Sequence, residues 1–216
     1  MDDATREKTA IRRGYDRLAP TYAERRAETP LESAVVTDFL ETVEPGDRLL
    51  DAGCGVGEPV LTAVSSPEPE PDGVDAVGLD LSSGQLEIAR GRAPAASLCQ
   101  GEMARLPFAA ASFDVVVALH SLIHVPVAED GAVLSEFARV LRPGGRLLLT
   151  GGCTPWTGTN PDWLDAGVEM RWQMAGREQT RRHLERAGFT VLERGEVDSG
   201  MVEDEARFSY VHARVA

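Results

Sequence analysis

Apolar positions recur along this chain with two different periods, and the change between them divides it. From residue 4 to residue 44 the spacing is helical. Ile11, Tyr15 and Leu18 share one face, Ala19-Pro20 breaks the pattern, and Leu31, Val35, Phe39, Leu40 and Val43 mark a second helix. Pro45-Gly46-Asp47 is a turn. Beyond it, short apolar runs alternate with helical ones. The runs predict strands from Arg48 to Asp51, Ala76 to Asp80, Ala95 to Gln100, Phe113 to Leu119 and Arg146 to Thr150. The run from Phe113 is apolar almost throughout, as a strand covered on both faces requires. Helices are predicted from Glu58 to Val64, from Ser82 to about Arg90, and from Glu129 to Leu141. Pro59 suits a first turn, where its missing N–H costs nothing. Ser82 or Ser83 can cap the second helix, and Arg142-Pro143-Gly144-Gly145 stops the third.

This alternation predicts a doubly wound α/β sheet. The tail departs from it. An amphipathic helix from Arg177 to Ala187 ends at Gly188, and runs from Phe189 to Glu193 and Arg207 to Val215 follow as strands. With no crossover helix between them, these two are expected to pair antiparallel and close the sheet edge. One stretch is of low complexity: Ser65 to Gly73 holds three prolines and three acids, which forbids regular structure and predicts a surface loop. A single domain is expected, with a helical cap over 1–45, a core over 46–151, an insertion over 152–176, and a closing helix and strands over 177–216.

Composition narrows the picture. The 216 residues suit one domain with a substantial core. A net charge of −13 repels nucleic-acid phosphate and anionic membrane, so neither is an expected partner. Basic residues are 21 arginines and a single lysine, Lys8. Three cysteines, Cys54, Cys99 and Cys153, are odd in number and widely spaced, which argues against a disulfide framework. No run reaches the ~18 apolar residues of a membrane span. The start, Met1 to Arg6, is polar and lacks the apolar core of a signal peptide. A cytoplasmic protein is expected.

Candidate chemistry begins at Leu49-Leu50-Asp51-Ala52-Gly53-Cys54-Gly55-Val56-Gly57, a strand running into a glycine-rich turn and a helix. Glycine allows positive φ and a close approach of ligand to backbone, and a helix N-terminus suits a carboxylate. Such a turn alone is common in open α/β sheets. A dinucleotide fingerprint starting at Gly53 would need glycine at 58, where the chain has Glu58, so a pyrophosphate would meet an acid. The pattern of an acid followed by G-x-G-x-G is met in full. Val77-Gly78-Leu79-Asp80-Leu81-Ser82 then places Asp80 at the next strand end, 29 residues after Asp51. Its carboxylate can accept both hydrogen bonds of a ribose diol; the alternative is a strand-end acid that only caps the following helix.

Together with Gly101-Glu102-Met103-Ala104-Arg105-Leu106-Pro107-Phe108, Ser112-Phe113-Asp114-Val115-Val116 and Arg139-Val140-Leu141-Arg142-Pro143-Gly144-Gly145, these segments resemble class I S-adenosylmethionine-dependent methyltransferases of the ubiquinone/menaquinone-biosynthesis-like type. The resemblance covers residues 10–150 in order. It implies a Rossmann-like, seven-stranded sheet, mostly parallel with an antiparallel last strand. It also implies roles. Gly53, Gly55 and Gly57 would contact the methionine part of S-adenosyl-L-methionine through backbone, and Asp51 would orient its ammonium group. Asp80 would hold the ribose, Leu81 would pack on the adenine, and Met103 would supply a backbone N–H. Glu102, where the family commonly has Asp, would accept from the adenine amino group. Leu119 and His120 would face the transferring methyl.

Methyl transfer from a sulfonium is an in-line displacement that asks a protein mainly for alignment and exclusion of water. A base is needed only where the acceptor loses a proton. His120 and His124 are the candidates, at the C-terminal end of a strand where open α/β sheets bind ligands; either could instead be structural. The segment 152–176 carries Trp156, Trp163 and Trp172 with Met170 and Met174. It could form a lid over an apolar acceptor pocket, or a satellite core against the N-terminal helices. Tyr15 and Tyr22 could close over the cofactor or simply pack between helices. No metal is called for: Cys54 lies inside the turn, leaving no convincing thiolate set. The expected function is methylation of a small, partly apolar molecule by a monomer or homodimer. Methylation of RNA or protein, or non-catalytic cofactor binding, are the alternatives.

Overall fold

The computed structural model describes residues 3–28, 33–65, 73–197 and 207–216. Helices α1 (Asp3–Glu28) and α2 (Ser33–Leu40) precede the alternating part. That part runs β1 (Arg48–Ala52), α3 (Val60–Val64), β2 (Asp75–Asp80), α4 (Ser83–Arg92), β3 (Ser97–Gln100), β4 (Phe113–Ala118), α5 (Asp130–Val140) and β5 (Leu141–Gly152). A hairpin of β6 (Pro155–Asn160) and β7 (Met170–Ala175) follows, then α6 (Arg177–Arg186), β8 (Phe189–Val197) and β9 (Phe208–Val215). The expected loop of prolines and acids falls on 66–72, outside the described residues.

Seven strands form one sheet in the order β3-β2-β1-β4-β5-β9-β8. The first five are mutually parallel, and β9 is antiparallel to both β5 and β8. The seven-stranded, mostly parallel Rossmann-like sheet is therefore present, with its last strand inserted beside β5 and β8 at the edge. Parallel strands need covering on both faces, and the alternation along each strand supplies it. Leu50, Val116, Leu147 and Leu149 pack with Leu134 and Phe137 of α5. Leu49, Val115, Val117 and Leu148 pack with Phe39 of α2 and Leu61 of α3 on the other face.

Two local readings are corrected. Helix α1 runs unbroken through Pro20. Proline removes the N–H that would reach the carbonyl four residues back, that of Asp16. Around this point α1 lies directly on α4: a Cβ on Gly84 would come within 3.0 Å of the Asp16 carbonyl oxygen. The Asp16 carboxylate accepts from Ser82 Oγ at 2.7 Å and Gly84 N at 3.1 Å. Burial alone would raise its pKa, but these hydrogen bonds outweigh burial and leave it lowered. Tertiary contact holds the helix straight where propensity alone would break it.

Arg142 to Gly145 is a bulge within β5 rather than a stop before it. Leu141 already pairs with Phe113, and pairing resumes at Arg146 with Val115. The insertion 152–176 is a β-hairpin. Its Trp163, Met170 and Trp172 build a third apolar cluster with Ile11 and Leu18 of α1. It packs against α1 and anchors it over the sheet.

Because Gly84 has no room for a side chain, Gly84→Leu is expected to lower the unfolding free energy by about 1–3 kcal/mol. The denaturation midpoint measures this, and an unchanged midpoint would show that α1 can yield at that contact.

Candidate functional site

The parallel strands all end on one edge, and their C-terminal loops enclose a cleft of about 750 Å³, counting its open mouth. The turn after β1, the end of β2, residues 101–104 after β3 and residues 119–125 after β4 form its floor. Lys8, Ile11, Tyr15 and Tyr22 of α1 form its roof. A smaller cavity of about 340 Å³ continues behind Tyr22 toward Asp51, Gly53 and Gly55. A second groove lies between α6 and the strands β8 and β9 and holds none of the expected site residues.

Gly53 and Gly55 have φ of 83° and 51°, which favours glycine. Gly53 also meets the loop after β4 at close range. A Cβ there would stand 2.3 Å from Ser121 Cβ, and Ser121 Oγ donates to the Ala52 carbonyl at 2.9 Å. Gly57 differs from expectation. It lines neither cavity; its open Cα face points at Ala89 and Ala93, so it serves packing of the turn. The turn's N–H groups are also engaged internally. Gly53 and Cys54 donate to the Leu79 carbonyl, Gly57 to that of Cys54, and Gly55 to Asp80 Oδ2 at 2.9 Å.

Asp80 accepts from Ser82 N on its other oxygen at 2.8 Å. Both oxygens are thus positioned by backbone, each keeps a further lone pair, and Asp80 lines the cleft. Burial raises the Asp80 pKa, against the pull of these N–H groups. Ser82 itself caps α4, receiving Gln85 N at 3.2 Å. Asp51 faces the smaller cavity and is buried; burial and the neighbouring Asp80 push its pKa up to about 8, with Arg26 opposing. Leu81, Met103, Leu119 and His120 line the main cleft. Glu102 lines it too, but its Oε2 receives Lys8 Nζ at 2.7 Å, and Lys8 also reaches Glu129 at 3.2 Å.

His120 has a φ of 47°, in the left-handed region that side chains rarely adopt, and its N–H donates to Thr150 Oγ1 at 2.6 Å. Such an outlier at a strand end points to a functional demand on the side chain's direction. His124 shares a 2.7 Å hydrogen bond between Nε2 and the Tyr15 hydroxyl. Burial lowers its pKa to about 4, against the opposing pull of the Arg171 backbone. Trp156, Trp163, Met170 and Trp172 do not reach the cleft surface. Trp163 stands behind it, its ring centroid 5.8 Å from that of Tyr15 and 5.9 Å from that of Tyr22.

Two residues on these walls escaped the sequence reading. Gln85 is buried with both amide atoms lacking a hydrogen-bond partner among the described residues, although it borders the cleft. Arg26, buried at 8% exposure, lines the smaller cavity. Both lie on helix faces whose orientation only the tertiary fold sets. Unsatisfied buried polar groups facing a cavity call for a polar ligand. The site therefore fits a ligand with a diol for Asp80, polar groups for Gln85 and a charged end near Asp51 and Arg26.

A family model for a methyltransferase domain matches residues 50–149. Over 111 residues the chain is 41% identical to the demethylmenaquinone methyltransferase of Beutenbergia cavernae, covering 51% of this chain and 43% of that one. Over 123 residues it is 42% identical to the 27-O-demethylrifamycin SV methyltransferase of Amycolatopsis mediterranei, covering 53% and 43%. Residues 50–149 thus carry a methyltransferase domain. The chain spans less than half the length of these two relatives. The crystal structure of the cyclase SpnF superposes with a TM-score of 0.71 at 20% identity over 96% of each chain, a likeness of fold. The matched methyltransferase domain contains Asp51, Asp80, Glu102 and both histidines, while α1 and the hairpin lie outside it.

The Asp51 carboxyl titrates near 4 in an unfolded chain and at about 8 here. Its contribution to stability is present at low pH and is lost as pH rises between those values. Ligand-free protein is expected to lose melting temperature over that window relative to Asp51→Asn. Parallel melting curves against pH would contradict this.

Proposed function

We propose that the protein is an S-adenosylmethionine-dependent methyltransferase acting on a small, partly apolar molecule. The observation that carries this reading is Asp80, a half-buried carboxylate that lines the cleft at the C-terminal strand ends with each oxygen held by a backbone N–H. When bound, S-adenosyl-L-methionine supplies a methyl group carried on a sulfonium. The protein's part is to hold, orient and exclude water. Asp80 accepts the two ribose hydroxyls, Leu81 and Met103 flank the adenine, and the free oxygen of Glu102 accepts from its amino group. Gly53, Gly55, Asp51 and Tyr22 enclose the amino-acid end. Leu119 and His120 face the methyl.

For an acceptor that must lose a proton, His120 is the better placed base, because it lines both the main cleft and the smaller cavity, while His124 lines the main cleft alone. Ile11, Tyr15, Leu119 and Val125 give the acceptor side an apolar wall. Trp156, Trp163, Met170 and Trp172 act behind that wall, fixing Tyr15 and Tyr22 rather than touching the acceptor. Two relatives are named for demethylmenaquinone and 27-O-demethylrifamycin SV, which supports a small-molecule acceptor. The charge of −13 disfavours RNA. No described helix is long and apolar enough to cross a membrane. A cytoplasmic monomer or homodimer, divided as a cap over 1–45, a core over 46–151, an insertion over 152–176 and a closing unit over 177–216, completes the proposal.

Calorimetric titration with S-adenosylhomocysteine tests it. A hydrogen bond to a charged group is worth about 1.5–3 kcal/mol, so Asp80→Asn is expected to weaken binding roughly 10- to 100-fold. Absence of binding by the native protein would overturn the function, and unchanged affinity in the variant would overturn the ribose assignment.

A further inference from the structure

The roof of the cleft is not held down evenly along its length. Ile11 and Leu18 anchor α1 by burial in the apolar cluster of the hairpin. Ahead of them, no residue from 3 to 10 is buried, and none joins that cluster. A segment with few buried apolar contacts opens at low cost. Polar contacts tie this end of the cap instead. Gln173 of β7 donates from Nε2 to Glu7, which links it to the hairpin. Lys8 links it to the floor of the cleft.

The Lys8 bridge joins three elements. Its Nζ lies 2.7 Å from Glu102 Oε2, in the loop after β3, and 3.2 Å from Glu129 Oε2, just ahead of α5. All three residues line the cleft, Lys8 on the roof and the two acids on the floor. The Lys8 side chain is 18% exposed and that of Glu129 25%, against 46% for Glu102. Burial disfavours the Lys8 charge, but the hydrogen bonds to Glu102 and Glu129 outweigh it and leave the pKa raised. Lys8 is the one lysine of the chain, among 21 arginines. An ammonium is a compact charge with three rotatable donors, so it can serve two carboxylates that approach from different elements; a guanidinium fork is fixed in one plane.

We infer that Lys8 is a latch: its bridge to Glu102 and Glu129 closes the front turns of α1 over the cleft and parts to let the ligand in or out. This rests on the proposed use of the cleft for S-adenosylmethionine. The second oxygen of Glu102 stays available to the adenine amino group while the latch is shut. A latch acts on the barrier that entry and exit share, so weakening it speeds both and leaves affinity little changed. Loss of a plain structural support speeds exit alone.

Association and release rates of S-adenosylhomocysteine test this, with melting curves to confirm folding. Lys8→Met is expected to raise both rates roughly three- to ten-fold, the scale of a partly buried ion pair. Glu129→Gln leaves Glu102 and Lys8 in place and should raise both by less. Lys8→Arg keeps the charge and should stay closer to native than Lys8→Met. The ligand is a zwitterion without net charge, so salt acts mainly on the latch. Raising salt from about 0.02 M to about 0.5 M should speed both native rates and change those of Lys8→Met less. Native rates equal to those of Lys8→Met would overturn the latch, as would a variant whose release quickens while its association does not. Native rates that ignore salt would overturn it even if no variant folds. Failure of native protein to bind S-adenosylhomocysteine would overturn the cofactor reading, and the latch with it.

Discussion

Charge buried at the ends of two adjacent parallel strands is the constraint around which the rest of this structure is arranged. Asp51 and Asp80 lie near the ends of the adjacent strands β1 and β2, where burial and the Asp80 charge both raise the cost of ionising Asp51. Burying like charges together is unfavourable unless something offsets it. Asp80 is offset by two backbone N–H groups, one from the glycine turn and one from the start of α4. The turn must take left-handed backbone to deliver the first, which is why glycine stands at 55. Asp51 has no such pair of donors; it faces Arg26 across a small cavity.

The cap is the second consequence. A cleft at the strand ends stays open to water unless something crosses it, and α1 does so. Its position is set by Asp16 on the N-terminus of α4, by Lys8 on Glu102 and Glu129, and by the apolar cluster it shares with the hairpin. Of the tryptophans, Trp163 stands directly against Tyr15 and Tyr22 of the roof. The same general architecture is seen in the cyclase SpnF. Fold alone therefore does not decide the chemistry, which has to come from named side chains.

Much of this was legible in the sequence because it is local. Strands of a doubly wound sheet are short apolar runs, and β1 to β5 stand where those runs fall. The order of acid, glycine turn, second acid and Arg142-Pro143-Gly144-Gly145 pointed to the family before any contact was known. What escaped depends on residues distant in sequence. Pro20 signals a break, and only packing on Gly84 keeps the helix continuous. Gly57 looks like its neighbours in the turn, but the helix behind it decides which way it faces. The segment 152–176 was visibly too apolar for an idle loop, yet nothing in its own residues said whether it would cover the acceptor or brace α1. Arg26 and Gln85 carry no motif; burial beside a cavity is what distinguishes them from other polar residues on helices.

The most direct test of the account is a crystal structure of the protein with S-adenosylhomocysteine. The account predicts the nucleoside in the cleft beneath α1, its ribose hydroxyls on Asp80 and its amino-acid end toward Asp51 and the glycine turn. A cleft left empty at saturating ligand, or a ligand seated away from the C-terminal ends of β1 and β2, would contradict it.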